Sequence, residues 1–174
     1  VHPSLLPKYR GATPIQSVIL AGEKETGTTL FLIDEKVDHG AILAQEKLPV
    51  ENPTYKELEY QLARLSGKLL SETLPKFITG GVIPKPQDES KATLTKKFET
   101  AEAKVDPVIL SEAKNLGGTA AIEIDRKIRA LNPEPGTWTM LDGKRTKLLE
   151  AELTDGKLKL KKIQVAGGKL SSVT

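Results

Sequence analysis

The chain offers few groups for chemistry: 174 residues hold two histidines, His2 and His39, and no cysteine. Thiol nucleophiles, disulfides and cysteine-bound zinc are therefore excluded, and so few histidines make a histidine-rich metal site a poor expectation. His2 opens the stretch HPSLLPKYRG, a turn-rich loop that leads into a helix start at Pro14. A helix start presents unpaired N–H groups and a positive field, both suited to an anion or a developing oxyanion. A carboxylate beside such an imidazole can fix its tautomer and stabilise its protonated form. Three acids in LIDEKVDHG compete for that role: Asp34, Glu35 and Asp38, with Gly40 just beyond them. Spacing alone does not choose among them, and His39 reads as a solvent-facing turn residue.

Several elements must position these groups. GATPIQSVILAG predicts a short helix with Thr13 as cap, Pro14 at its first position and Gly22 as its stop. TTLFLID predicts a buried strand, and residues 42–50 a second one. From Thr54 a capping box with Glu57 opens a helix whose Leu58, Leu62, Leu65 and Leu69 form one apolar stripe. Pro75 is expected to kink or end it, and Gly80-Gly81 to close the segment. Residues 82–99, rich in proline and charge, read as an extended linker over the surface. A second amphipathic helix follows, with Ala121, Ile124, Ile128 and Leu131 on one face and Asn132-Pro133 as its stop. Short β segments separated by DG, TDGK and AGGK then suggest hairpins of a small barrel, without an obvious last strand. The domain reading is an α/β piece over 1–81, a linker over 82–99 and an incomplete barrel-like module over 100–174.

Charge is uneven. The formal net charge is +3, yet from Gly143 to Thr174 eight basic residues face three acidic ones. Lys144, Arg145, Lys147, Lys157, Lys159, Lys161 and Lys162 supply most of this excess, and alternation at 157, 159 and 161 places those three on one strand face. Such a stretch suits a polyanion such as nucleic acid, although a solvated lysine-rich face gives the same pattern. No apolar run approaches the roughly 20 residues of a membrane span. The first residues lack the layout of a secretory signal, and a cytoplasmic setting fits.

The ordered set His2, Ser4-Leu5-Leu6-Pro7, Arg10-Gly11, Pro14, Gly27 with Thr29, and Asp38 with Gly40 strongly resembles the active-site stretch of formyltransferases that use 10-formyltetrahydrofolate. IPKPQDESKAT is similar to the domain junction of the methionyl-tRNA branch, and IDRKIRALNPEPGTWTMLDGKRTKLLEA to the start of its second domain. Glu134, where the family often has Trp, and a longer VDPVILSEAKNLGGTAA depart from the pattern outside the catalytic region. The resemblance implies a partial doubly wound, Rossmann-like α/β domain followed by a small OB-like β-barrel. It implies His2 and Asp38 as catalytic residues, and Ser4, Leu5, Leu6, Pro7, Ile33 and Asp34 at the folate donor. For tRNA it implies Arg10 together with Lys144, Arg145, Lys147, Lys157, Lys159 and Lys161. The implied reaction carries a formyl group to the amine of initiator methionyl-tRNA, with no metal, in an enzyme that is a monomer at full length. Alternatives are a formyltransferase acting on glycinamide ribonucleotide or an amino sugar, and a noncatalytic tRNA-binding fragment. The family's Asn would precede Val1, so the front of the domain is expected to lie outside this sequence and the chain alone to have negligible activity.

Overall fold

A computed structural model describes residues 1–173. The chain forms two units, Val1–Lys97 and the residues from Phe98 on.

The first unit is built on a hairpin of β2 (Glu25–Phe31) and β3 (Ile42–Pro49), antiparallel, with Glu25 opposite Pro49 and Leu30 opposite Ala44. On the free edge of β2, His2 and Thr29 exchange both backbone hydrogen bonds at 2.9 Å. On the far edge of β3, Lys85 bridges to Ile42. Residues 26–30 are buried on both faces, as the run of threonine and leucine predicts. α2 (Tyr55–Ile78) lies on this sheet through Leu58, Leu62 and Leu69, and Ser66 meets Thr28, their hydroxyls 2.6 Å apart. Each fully buried leucine contributes about 1.5–3 kcal/mol. The Thr54–Glu57 capping box is formed as expected. The helix nevertheless runs through Pro75 to Ile78. Proline removes one ladder donor, and here the last turn is closed by the Thr79 N–H and hydroxyl on the Pro75 carbonyl. α1 (Pro14–Ala21) ends at Gly22 in the left-handed region, but Thr13 does not cap it; its hydroxyl donates to the Lys96 carbonyl instead.

That bond belongs to a larger departure from the sequence reading. Residues 82–97 are not a free linker but part of the first unit. β4 (Leu94–Thr95) pairs in parallel with β1 (Arg10–Gly11), after a 3-10 turn over Glu89–Lys91. The first unit is thus an α/β arrangement with parallel pairing in this short pair and antiparallel pairing in its hairpin.

The second unit packs α3 (Pro107–Asn115) and α4 (Thr119–Leu131) on a four-stranded antiparallel sheet. Its strands β5 (Trp138–Leu141), β6 (Lys144–Thr154), β7 (Lys157–Val165) and β8 (Leu170–Ser172) lie in sequence order. The Asp142-Gly143 and Asp155-Gly156 turns connect them, with both aspartates and both glycines at positive φ as such hairpins require. Leu110, Ala113, Ala121, Ile124, Ile128, Leu148, Leu158 and Leu160 fill the core. Asn132 ends α4 and ties it to the sheet, its amide donating to the Ile128 and Leu148 carbonyls at 2.9 and 2.8 Å. Two expectations change here. LSS forms a last strand on β7, and no closed barrel is found among the described residues: β8 pairs with β7, while the outer edge of β5 is met at Trp138 by an isolated parallel bridge to Lys104 rather than by β8. α3, absent from the sequence reading, starts at Asp106, whose carboxylate accepts the Val108 N–H, with Pro107 at the first position.

Candidate active site

His2 is held from both sides by the backbone exchange with Thr29, and its ring meets the edge of Phe31 with centroids 6.5 Å apart. The imidazole is buried, 5% exposed. Its Nε2 lies 2.9 Å from the Tyr9 carbonyl, an acceptor only, so this nitrogen carries the proton. Nδ1 then faces the Asp38 carboxylate at 3.5 Å. Asp38 sits at φ +48°, and its Oδ2 accepts the Gly11 N–H at 2.8 Å. The loop that carries it is closed by the Leu32 N–H on the Ala41 carbonyl at 2.9 Å. Gly40 is required there, because a Cβ would overlap the Leu32 carbonyl.

The choice that spacing left open is thereby resolved in space. Asp38 reaches His2, whereas Asp34 pairs with His39, Oδ2 to Nδ1 at 2.6 Å, and accepts the Lys36 N–H on its other oxygen. His39 is thus engaged, its Nε2 also 3.4 Å from Glu89. The His39 bond first, then the Lys36 N–H, hold the Asp34 carboxyl below the usual carboxylate range.

Burial pushes the His2 imidazole below its ordinary value of 6.5, against the opposing pull of the Tyr9 carbonyl and the Asp38 charge. The folded protein therefore favours the neutral ring. Stability present above pH 6.5 is expected to fall as the pH drops from 6.5 through the lowered folded value. Urea midpoints measured across that window should show this slope, and the His2→Gln variant should lose part of it. An identical slope in the variant would assign the effect to other groups.

Ser4, Leu5, Leu6 and Pro7 divide. Leu5 and Pro7 are half-buried, while Ser4 and Leu6 are fully inside and act as framework. The Thr29 hydroxyl donates to the Ser4 carbonyl at 2.7 Å and accepts the Leu6 N–H at 3.1 Å. Gln45 donates to the same hydroxyl and to the Leu6 carbonyl, both at 2.8 Å. Ile33 and Val37 instead stand exposed on the Asp38 loop, Ile33 at 92%. Arg10, expected at a tRNA phosphate, is buried, and its guanidinium is held internally. It donates to the Glu89 carboxylate at 2.6 and 3.0 Å and to Oε1 of the Gln87 side chain at 2.8 and 3.1 Å. The reason is the docked segment 85–95, whose composition predicts a linker over the surface.

In the second unit Lys144, Lys147, Lys157 and Lys159 are exposed with no carboxylate within ion-pair distance among the described residues. Lys161 and Lys162 differ, reaching Glu152 and Glu150 at 3.1 Å each. The Arg145 guanidinium lies 4.2 Å from the centre of the Trp138 ring, and Lys104 approaches the same ring at 5.6 Å. Trp138 was not singled out from sequence; its pairing opposite Lys147 on β6 is what brings it beside the basic residues.

Among the described residues no group of three His, Cys, Asp or Glu side chains could hold a metal ion, and no helix is long and apolar enough to cross a membrane.

The family model described as formyl transferase matches residues 1–74, and that of the formyl transferase C-terminal domain matches residues 119–174. A methionyl-tRNA formyltransferase from Lactobacillus gasseri is 42% identical over 153 residues, covering 87% of this chain and 46% of the relative. The chain thus spans about half the length of the curated relatives it matches. Among solved structures, HypX from Aquifex aeolicus in complex with tetrahydrofolic acid superposes with a TM-score of 0.72 at 22% identity, covering 93% of this chain and 31% of that one. A methionyl-tRNA formyltransferase from Clostridium thermocellum gives 0.67 at 20% identity, covering 94% and 66%. At such identities the structures share the fold.

Proposed function

Because the chain belongs to the formyl transferase family, we propose that the protein carrying it transfers a formyl group from 10-formyltetrahydrofolate to the α-amino group of initiator methionyl-tRNA. The observation that carries this reading is the His2–Asp38 pair, a buried imidazole and a carboxylate 3.5 Å apart on two loops joined through Gly11. The names of the relatives add the substrate class.

The donor supplies an electrophilic formyl carbon, at which amine attack puts negative charge on oxygen. His2 works through Nδ1, since the Tyr9 carbonyl occupies Nε2. A proton taken from the attacking amine at Nδ1 is stabilised by Asp38, and it passes to the donor nitrogen as that nitrogen's bond to the formyl carbon breaks. Burial keeps the ring neutral at rest, so the site is ready to accept a proton rather than already charged. Asp38 cannot swing away, because the Gly11 N–H holds the same oxygen that faces His2. For a flat heteroaromatic ring, the exposed Ile33 and Val37 and the backbone of the loop from Ile33 to Asp38 provide the fitting chemistry, apolar surface beside polar edges. Leu5 and Pro7 are the members of their stretch with surface to offer, and Asp34 holds the loop through His39. The exposed Lys144, Lys147, Lys157 and Lys159, with Arg145 stacked on Trp138, suit the phosphates and bases of an RNA.

The test compares acceptors. With 10-formyltetrahydrofolate as donor and the whole protein that carries this chain as enzyme, formylation of methionyl-tRNA is the expected result. Preference for a nucleotide-linked amino sugar or for glycinamide ribonucleotide would replace the acceptor while keeping the chemistry. Binding of tRNA with no transfer to any amine would overturn the reading.

A further inference from the structure

The Gln87 amide has no idle atom. Its nitrogen donates to the carbonyls of Asp38 and Gly40, both at 2.9 Å, and its oxygen accepts from Arg10 Nη2 and Nε at 2.8 and 3.1 Å. Two donors and two acceptor positions are thus all occupied. The orientation is forced: the reversed amide would set its oxygen against two carbonyls and its N–H groups against a guanidinium. The side chain therefore links the backbone between the Asp38 and Gly40 carbonyls to the loop that contains Arg10. That loop in turn carries the Tyr9 carbonyl on His2 Nε2 and the Gly11 N–H on Asp38 Oδ2. A second tie from the same segment acts on the His2 side. Thr93 Oγ1 accepts the Tyr9 N–H at 2.7 Å, and the Thr93 carbonyl accepts the Arg10 N–H at 2.9 Å. Tyr9 stands at φ +61°, a conformation an L residue adopts only when its surroundings hold it there.

We infer that Gln87 is a positioning residue, which sets the separation of His2 and Asp38 by fastening the Asp38–Gly40 backbone to Arg10. It touches neither the imidazole nor the carboxylate and acts on the pair through the two loops. The kinetic part of this inference rests on the formyl-transfer reading; the structural part does not.

The experiment uses Gln87→Met, which keeps the volume and removes every polar bond, beside Gln87→Ala. In each folded variant the His2 titration is followed by NMR, with the imidazole signals assigned against His2→Gln. Asp38 raises the affinity of His2 for its proton. Release of the Asp38 loop is therefore expected to move the titration further down, in the direction Asp38→Asn moves it. In the transfer assay kcat should fall by up to about 100-fold with the KM values little changed, as a displacement of about 1 Å can cause. A His2 titration like that of the parent overturns the inference whatever the activity. So does failure of both variants to fold, which would make Gln87 a structural residue only. A shifted titration with undiminished transfer sustains the positioning and defeats the formyl-transfer role of the pair.

Discussion

Asp38→Asn is expected to lower kcat for formyl transfer by about 10²–10⁴-fold, the range associated with a positioned acid–base group. The replacement is nearly isosteric, and its amide oxygen can still accept the Gly11 N–H that Asp38 accepts at 2.8 Å. Folding should therefore persist, leaving the charge and the lone pairs as the variables. With the amide oxygen kept on the Gly11 N–H, that same oxygen still faces Nδ1 but no longer carries the charge that stabilises a proton there. The ring would then be held in its neutral form by a neighbour that cannot compensate a proton. Steady-state rates at saturating donor and acceptor, with thermal unfolding as the control, check this. A kcat within threefold of the parent would remove Asp38 from the mechanism.

Gly40→Ala should destabilise the first unit by about 1–3 kcal/mol, the usual cost of forced overpacking. A Cβ at this position overlaps the Leu32 carbonyl, a backbone atom that cannot rotate aside, within a loop closed by Leu32 and Ala41. Relief requires opening that closure, which also shifts the Gly40 carbonyl away from Gln87 and displaces Asp38, two residues earlier. Activity should thus fall together with the urea midpoint. By contrast, Gly80→Ala adds a Cβ with nothing within 4 Å and carries only the strain of φ +77°. An unchanged midpoint for Gly40→Ala would show that the loop relaxes more freely than its packing implies.

Features that depend on neighbours in sequence were legible before any coordinates. The Thr54–Glu57 box, the stripe Leu58, Leu62, Leu69, the α4 face and both Asp-Gly turns follow from local periodicity and backbone preference. α3 could have been read the same way, from Asp106-Pro107 before VILSEA. The pairing of His2 with Asp38 came through an ordered motif, since spacing left Asp34 and Glu35 equally eligible. What escaped depends on partners remote in the chain. Arg10 looks like a surface cation until Gln87 and Glu89, 77 and 79 positions away, are brought to it. The stretch 82–97 has the composition of a solvated linker, and its pairing with residues 7–13 and 38–42 makes it structure. Barrel closure escaped similarly, because hairpin signals report which strands turn back on each other and not whether the outer two meet.

The docking of residues 85–95 onto the His2 loop also has a consequence in time. Tyr9 and Thr93 are 84 positions apart. On a ribosome adding about 5–20 residues per second, the nascent His2 loop waits roughly 4–17 s for the segment that holds it. Until then Arg10 is a cation without its carboxylate partner and Tyr9 lacks the acceptor for its N–H. The hairpin and helix behind them can form first, so the reactive corner is among the last parts of its unit to set during synthesis.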